Sequence, residues 1–196
     1  MSEQKARVIT EEGKLCFDQN LFEANDDGKF QASMVLGKGV NYKNISELMM
    51  ATAKAKHGDN IPKKFTWGMK SDKDADTEKY PFLKDGMLVS GGTKFAIPVT
   101  DIAGNVITKD DIKGGDTVRF SLSAYCYEFK GKHGVSLNVN AILLIEKCSE
   151  ENAFYKKQNA ADMFGDVFTS YENKSVDMFA NNENEAEDTN LSDMNF

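Results

Sequence analysis

Two long segments of strand character, Thr117–Phe129 and residues 135–147, follow one another and are joined only by Lys130-Gly131-Lys132-His133-Gly134. A pair of this length sets the chain as mainly β, and the rest must be built around it. In the first segment Val118, Phe120, Leu122, Ala124 and Cys126 point one way and make a core face. Arg119, Ser121, Ser123, Tyr125, Tyr127 and Phe129 point the other way. A face that met only water would be routinely polar. This one carries three aromatic residues, a cation and two small hydroxyls.

Shorter strands are marked elsewhere. Residues 14–22 and 29–36 flank Asn25-Asp26-Asp27-Gly28, a strong turn signal. Further strand content is expected at residues 86–99 and at Val106 and Ile107, after a turn at Ala103-Gly104-Asn105. One helix is expected over about residues 44–57, with Asn44 as N-cap, Glu47 three residues on and Gly58 as the stop. Its stripe Ile45, Leu48, Met49 and Thr52 is read as packing. Residues 59–85, polar and holding Pro62 and Pro81, are read as a long excursion, and residues 160–167 carry a weak second helix signal. Four to six strands with one good helix describe a small barrel with a helix capping one end.

Charge divides the chain in two. The net charge is −7, and the last 20 residues hold six acids (Asp177, Glu183, Glu185, Glu187, Asp188, Asp193) with no Lys or Arg. Their −6 leaves −1 on the first 176 residues. The expected organisation is a body of residues 1–170 and a disordered acidic tail of residues 171–196, too poor in apolar residues to offset the entropy of ordering. The tail nonetheless ends in Phe196, so it is read as a docking peptide for partner proteins, with Asp193, Asp188 and Glu187 steering the encounter. The plainer alternative is a solubilising terminus.

Several chemistries find no support. No apolar run approaches the roughly 18–20 residues of a membrane-spanning helix, and the N-terminus lacks a secretion pattern. Cys16, Cys126 and Cys148 are few, odd in number and without CxxC spacing, which suits a reducing cytoplasm. Ser90-Gly91-Gly92-Thr93-Lys94 lacks the phosphate-cradling order of a P-loop, and the Asp72, Asp74, Asp76 series places Thr77 and Leu83 where a calcium loop needs Gly and Glu. With two histidines and no catalytic motif, the chain is expected to be neither an enzyme nor a metal or cofactor protein.

Aromatic rings interleaved with cations on a sheet are what single-stranded nucleic acid requires: bases stack on the rings while Lys and Arg neutralise phosphates. The candidate contacts are Tyr125, Tyr127, Phe129 and Arg119, beside Ser136, Asn138 and Asn140 of the next strand and Lys130 and Lys132 of the connection. A second candidate is residues 52–70, where five lysines face one Asp59 and Lys63-Lys64-Phe65-Thr66-Trp67 sits among them. Lys94 with Phe95 forms a smaller instance. Which of Phe65, Trp67 and Phe95 touch nucleic acid is left open, since Trp67 equally suits a core anchor. The alternative for the tyrosine face is a subunit interface in a structural or assembly protein, and RNA is the alternative ligand.

Residues 97–147 with an acidic tail ending in Phe resemble the bacteriophage single-stranded DNA-binding proteins of podophage-type replication modules. The likeness rests on Pro98-Val99-Thr100-Asp101, Gly114-Gly115, Tyr125-Cys126-Tyr127, Gly134-Val135-Ser136-Leu137 and Asp193-Met194-Asn195-Phe196. The resemblance implies an OB-fold body, duty in DNA replication and recombination, strand annealing, and work in the cytoplasm of an infected bacterial host. It implies tail contacts with a phage DNA polymerase and a primase-helicase, and a homodimer with exchanged tails. Tyr125 and Tyr127 match the family's base-stacking positions, and Phe196 its terminal aromatic. The tail here is shorter and less acidic than the family's strongest examples, and the segment near Lys63 does not align.

Overall fold

The computed structural model describes residues 6–155. The boundary at residue 170, the tail with Glu187, Asp188, Asp193 and Phe196, and the helix signal at residues 160–167 lie outside that range. The elements are β1 (Arg7–Ile9), β2 (Gly13–Cys16), β3 (Phe30–Leu36), α1 (Lys43–His57), β4 (Phe65–Thr66), β5 (Met69–Ser71), β6 (Met87–Thr93), β7 (Val99–Asp101), β8 (Thr117–Phe129) and β9 (Lys132–Glu146). No helix among the described residues is long and apolar enough to cross a membrane.

The sheet closes on itself. β8 pairs antiparallel with β9 along its whole length, and its other edge takes β1 and β2. β2 pairs with β3, β3 with β6, and β6 meets β9 in parallel at Gly91 and Leu137. β1 and β2 form one bent strand, held at the bend by the Thr10 amide donating to the Phe120 carbonyl (2.9 Å) while the Thr10 hydroxyl accepts from the Phe120 amide (2.9 Å). The circuit is thus five strand positions with the third and fifth parallel, an OB-fold-like barrel.

Alternation fills it. Val118, Phe120 and Leu122 of β8 meet Val135, Leu137, Val139, Ile142 and Leu144 of β9 inside, with Ala32, Met34 and Leu36 opposite. α1 caps the barrel by burying Ile45, Leu48, Met49 and Ala53, and its Thr52 carbonyl accepts a bond from the Cys126 thiol at 3.4 Å. A second small cluster, Cys16, Val35 and Leu83 with Phe17, Tyr80, Phe82, Leu88 and Phe154, covers part of the outer surface of β3 and β6.

Four local expectations are corrected. The helix starts at Lys43 with Tyr42 as N-cap, because the Asn41 carboxamide accepts the Lys43 amide (2.9 Å) and opens the turn one residue earlier. Asn44 instead donates to the Ile9 carbonyl at 2.6 Å, tying helix to β1. The strand expected over residues 14–22 stops at Cys16, where Phe17 turns left-handed (φ 49°), although Asn25 organises the turn before Lys29 as read. The excursion of residues 59–85 returns to the sheet twice, as β4 beside β9 and β5 beside β6. Finally the β8–β9 connection is only Lys130-Gly131, both with positive φ (49° and 74°), the two-residue turn whose twist matches a hairpin.

The chain exit at the end of β9 depends on Asp116, which is 1% exposed. Its carboxylate accepts the Cys148 amide (2.7 Å) and the Lys113 amide (2.9 Å). Asp116→Ala strands both donors, at about 1–3 kcal/mol for each buried group left unpaired. The expected result is a fall in urea midpoint with an unchanged m-value.

Candidate nucleic-acid interface

Register decides what shares a face. Across the β8–β9 hairpin Tyr125 pairs with Ser136, Tyr127 with Gly134 and Phe129 with Lys132, so these six lie together on the outside of the barrel. Phe129 is 65% exposed and Tyr125 38%, while Tyr127 is half-buried because its ring lies across Gly134. Lys130, in the turn, holds its ammonium 5.2 Å from the centre of the Phe129 ring. Ser136 stands beside Tyr125 as the hairpin register predicted, Asn138 stands beside Ser123, and Asn140 is the extra residue of a bulge whose side chain accepts from the Ser123 hydroxyl (3.2 Å).

β4 brings in the second lysine-rich segment. It runs parallel to β9 with Phe65 opposite His133 and Thr66 opposite Gly134. Lys63 and Lys64 immediately precede β4, so segments more than 60 residues apart in sequence approach one hairpin tip. Thr66 shares the outer face with Gly134 and Tyr127. Among the described residues no ion pair ties down Lys63, Lys64, Lys130 or Lys132. The acid nearby, Glu128, faces His133 Nδ1 at 3.7 Å. Lys56, at the helix end, is near enough to oppose the upward push that burial gives the Cys126 thiol.

Other sequence candidates fall elsewhere. Phe65 and Trp67 share the barrel side with His133: their rings lie 4.9 Å apart, and Phe65 meets His57 edge-on at 5.8 Å. Both pack against the core, and Trp67 walls an apolar groove of about 380 Å³ with Met49, Met50, Met69 and Met87. They brace the site from beneath and are not on the tyrosine face. Arg119 stands six residues from Tyr125, on the order of 20 Å along the strand. Its guanidinium is taken up by Glu12 (3.1 Å) and Glu11 (3.7 Å) of the β1–β2 bend. Lys94 and the 80%-exposed Phe95 follow β6, which places them near the level of Asn140, roughly 25 Å of strand from Lys132.

Sequence reasoning missed Thr66 and Gly134. The signal for Thr66 was its two-residue spacing from Lys64, which puts the two on one face once a strand is granted. No catalytic nucleophile emerges from the cysteines: burial raises the thiol pKa of Cys126 and Cys148 and carries that of Cys16 to about 12.

No family model and no curated protein matches the sequence. The fold does have solved counterparts. The single-stranded DNA-binding protein from bacteriophage Enc34 aligns with TM-score 0.62 at 16% identity, over 83% of this chain and 89% of that one. The same protein in complex with ssDNA aligns with TM-score 0.60 at 17% identity, over 73% and 88%. Gp2.5, a single-stranded DNA-binding protein encoded by bacteriophage T7, aligns with TM-score 0.55 at 10% identity, over 74% and 94%. The described barrel therefore has the fold of these phage single-stranded DNA-binding proteins.

Proposed function

We propose that this chain is a non-catalytic single-stranded DNA-binding protein of phage DNA replication and recombination, working in the host cytoplasm and indifferent to base sequence. The observation that carries this is the convergence of Lys63, Lys64, Lys130 and Lys132 around exposed Tyr125 and Phe129 and the half-exposed Tyr127. Rings on a firm two-strand ribbon offer stacking platforms, and the lysines track phosphates. Duplex DNA hides its bases and would leave such rings idle. Arg119, already neutralised, contributes framework, whereas Lys94 belongs to the far end of a longer footprint. The solved complex of a like-folded phage protein with ssDNA supports the choice of ligand.

Oligo-dT binding followed by intrinsic fluorescence tests this across a salt series. Four or five lysine–phosphate contacts predict a slope of log K against log salt of about −3, at about −0.7 per contact on single strands. A slope near zero, or no binding at low salt, hands the tyrosine face to an apolar subunit interface, for which salt matters little. A ribo-oligonucleotide run alongside separates DNA from RNA preference.

The acids from Asp177 onward complete the proposal. At low salt they compete with DNA for the lysines, in the same chain or across a homodimer, and when displaced by DNA they present Phe196 to the replication polymerase and primase-helicase. Deletion of residues 177–196 should then raise oligo-dT affinity by about tenfold at low salt, with the gain fading as screening sets in. Equal affinity of the deleted and full chains at low salt sinks the competition.

A further inference from the structure

The end of β9 opposite the lysine cluster carries a surface of contrary character that is unpartnered among the described residues. The β7 turn displays Ile102 and Val106 at 75% and 78% exposure, the most exposed large aliphatic side chains among the described residues. Their frame is rigid. The Asp101 carboxylate accepts the Ala103 amide (2.9 Å), the Asn105 amide (2.8 Å) and the Asn105 side-chain amide (2.9 Å). The Asp101 amide donates to the Asn105 carbonyl (3.0 Å), and Gly104 takes the positive φ of 83° that the turn demands. Those bonds, from Asn105 above all, hold the Asp101 carboxyl below its usual range, so it stays ionised. A concavity of about 400 Å³ lies beside the tip, with Ile145 and Leu144 in its wall. Its acids are Asp101, Asp111 and Glu146, of which Asp111 is paired with Lys147 (3.7 Å). Asp110 and Lys109 precede Asp111, and the Lys109 ammonium is taken up by Glu23 (2.7 Å).

The barrel is therefore bipolar. One pole is cationic with exposed aromatic rings, and the other is anionic with exposed β-branched side chains on a preformed turn. β9 runs from one to the other, roughly 45 Å of strand contour from Lys132 to Glu146 at about 3.3 Å per residue. The two poles of one barrel cannot meet. Those of two copies can, and they match in charge and in apolar character. Because the turn is already ordered, docking it costs little conformational entropy.

We propose that the Ile102–Val106 turn of one copy docks on the Tyr125–Phe129 face of a second copy, head to tail, so that a neighbouring molecule and single-stranded DNA compete for one surface. The contact is heterologous and does not close, so mass should grow with concentration and not halt at a dimer. The proposal rests on the cationic aromatic face described above. It adds a store of protein that strand exposure dissolves.

Sedimentation velocity on the full chain tests it without DNA, from about 1 to about 200 μM, at about 50 mM and about 500 mM salt. The expected result is a weight-average mass that rises with concentration at low salt and falls to the monomer at high salt or on adding stoichiometric oligo-dT. Ile102→Ser/Val106→Ser, which removes the apolar tip without adding charge, should stay monomeric throughout. Its thermal melting should match the parent, and its oligo-dT affinity at submicromolar protein should lie within about twofold of the parent. A parent that remains monomeric at the highest concentration overturns the proposal. So does a variant that associates as the parent does, or an assembly that oligo-dT leaves intact although the DNA binds. Association abolished by the variant, in a protein that binds no oligo-dT, upholds the docking and removes the DNA function instead.

Discussion

Tyr125→Ala combined with Tyr127→Ala should weaken oligo-dT binding by about 100-fold at moderate salt. Each base–ring stack contributes about 1–3 kcal/mol, and about 1.4 kcal/mol is a factor of ten. The lower end of that range applies to Tyr127, since its ring is half-buried and lies close against Gly134. Tyr125, 38% exposed beside Ser136, is the freer platform. Anisotropy of a labelled oligo-dT measures both single variants and the pair. Tyr→Phe at each position is the informative control: a ring without its hydroxyl still stacks, so affinity should stay within about threefold. The salt slope should not move, because Lys63, Lys64, Lys130 and Lys132 keep their phosphates. Full affinity in the double alanine variant would mean that DNA, if bound, lies elsewhere. Lost affinity with a flattened salt slope would mean that the substitution had unfolded the hairpin.

What the sequence made visible follows from the range of the interactions involved. β8 and its two faces were legible because alternation is a local signal and a 13-residue strand repeats it many times. The same holds for α1, whose stripe buries Ile45, Leu48 and Met49 as spaced. Pro62 and Gly68 mark the segment of β4 as a loop or short strand, but its place in the sheet was illegible: two residues carry no period, and their partner strand lies nearly 70 positions downstream. Arg119 shows the complementary failure. Its place on the outward parity of β8 was right, but Glu11 and Glu12 reach it only because β1 and β2 bend along the far edge of that strand. Local pattern says which way a side chain points, and not which distant charge waits there. The connection was misjudged for a chemical reason, since glycines at 131 and 134 read alike as loop. Gly131 occupies a positive φ in the turn, whereas Gly134 is a strand residue without a side chain because a ring needs the room.

That room makes Gly134 the most sensitive backbone position of the site. A Cβ there would lie 2.6 Å from the Thr66 carbonyl oxygen and 2.7 and 2.8 Å from the Tyr127 hydroxyl and ring edge. The first neighbour is backbone, so β4 must shift, and with it Lys63 and Lys64. The second is a ring, which must swing off the strand. Gly134→Ala should therefore cost about 1–3 kcal/mol of stability, the usual range for overpacking, and lower oligo-dT affinity by about tenfold through misplacement of a platform and two cations. Gly131→Ala is the contrast. It meets nothing within 4 Å, so the strain of its positive φ costs stability of order 1 kcal/mol while the ring stays in place. Combining Gly134→Ala with Tyr127→Ala separates the two clashes. With the ring gone, the added methyl can harm binding only through Thr66, so the pair should bind less than additively worse than Tyr127→Ala alone. Strict additivity would place the damage in β4. Wild-type binding by Gly134→Ala would show that the Tyr127 ring has another resting place and that its seat on Gly134 is incidental to the site.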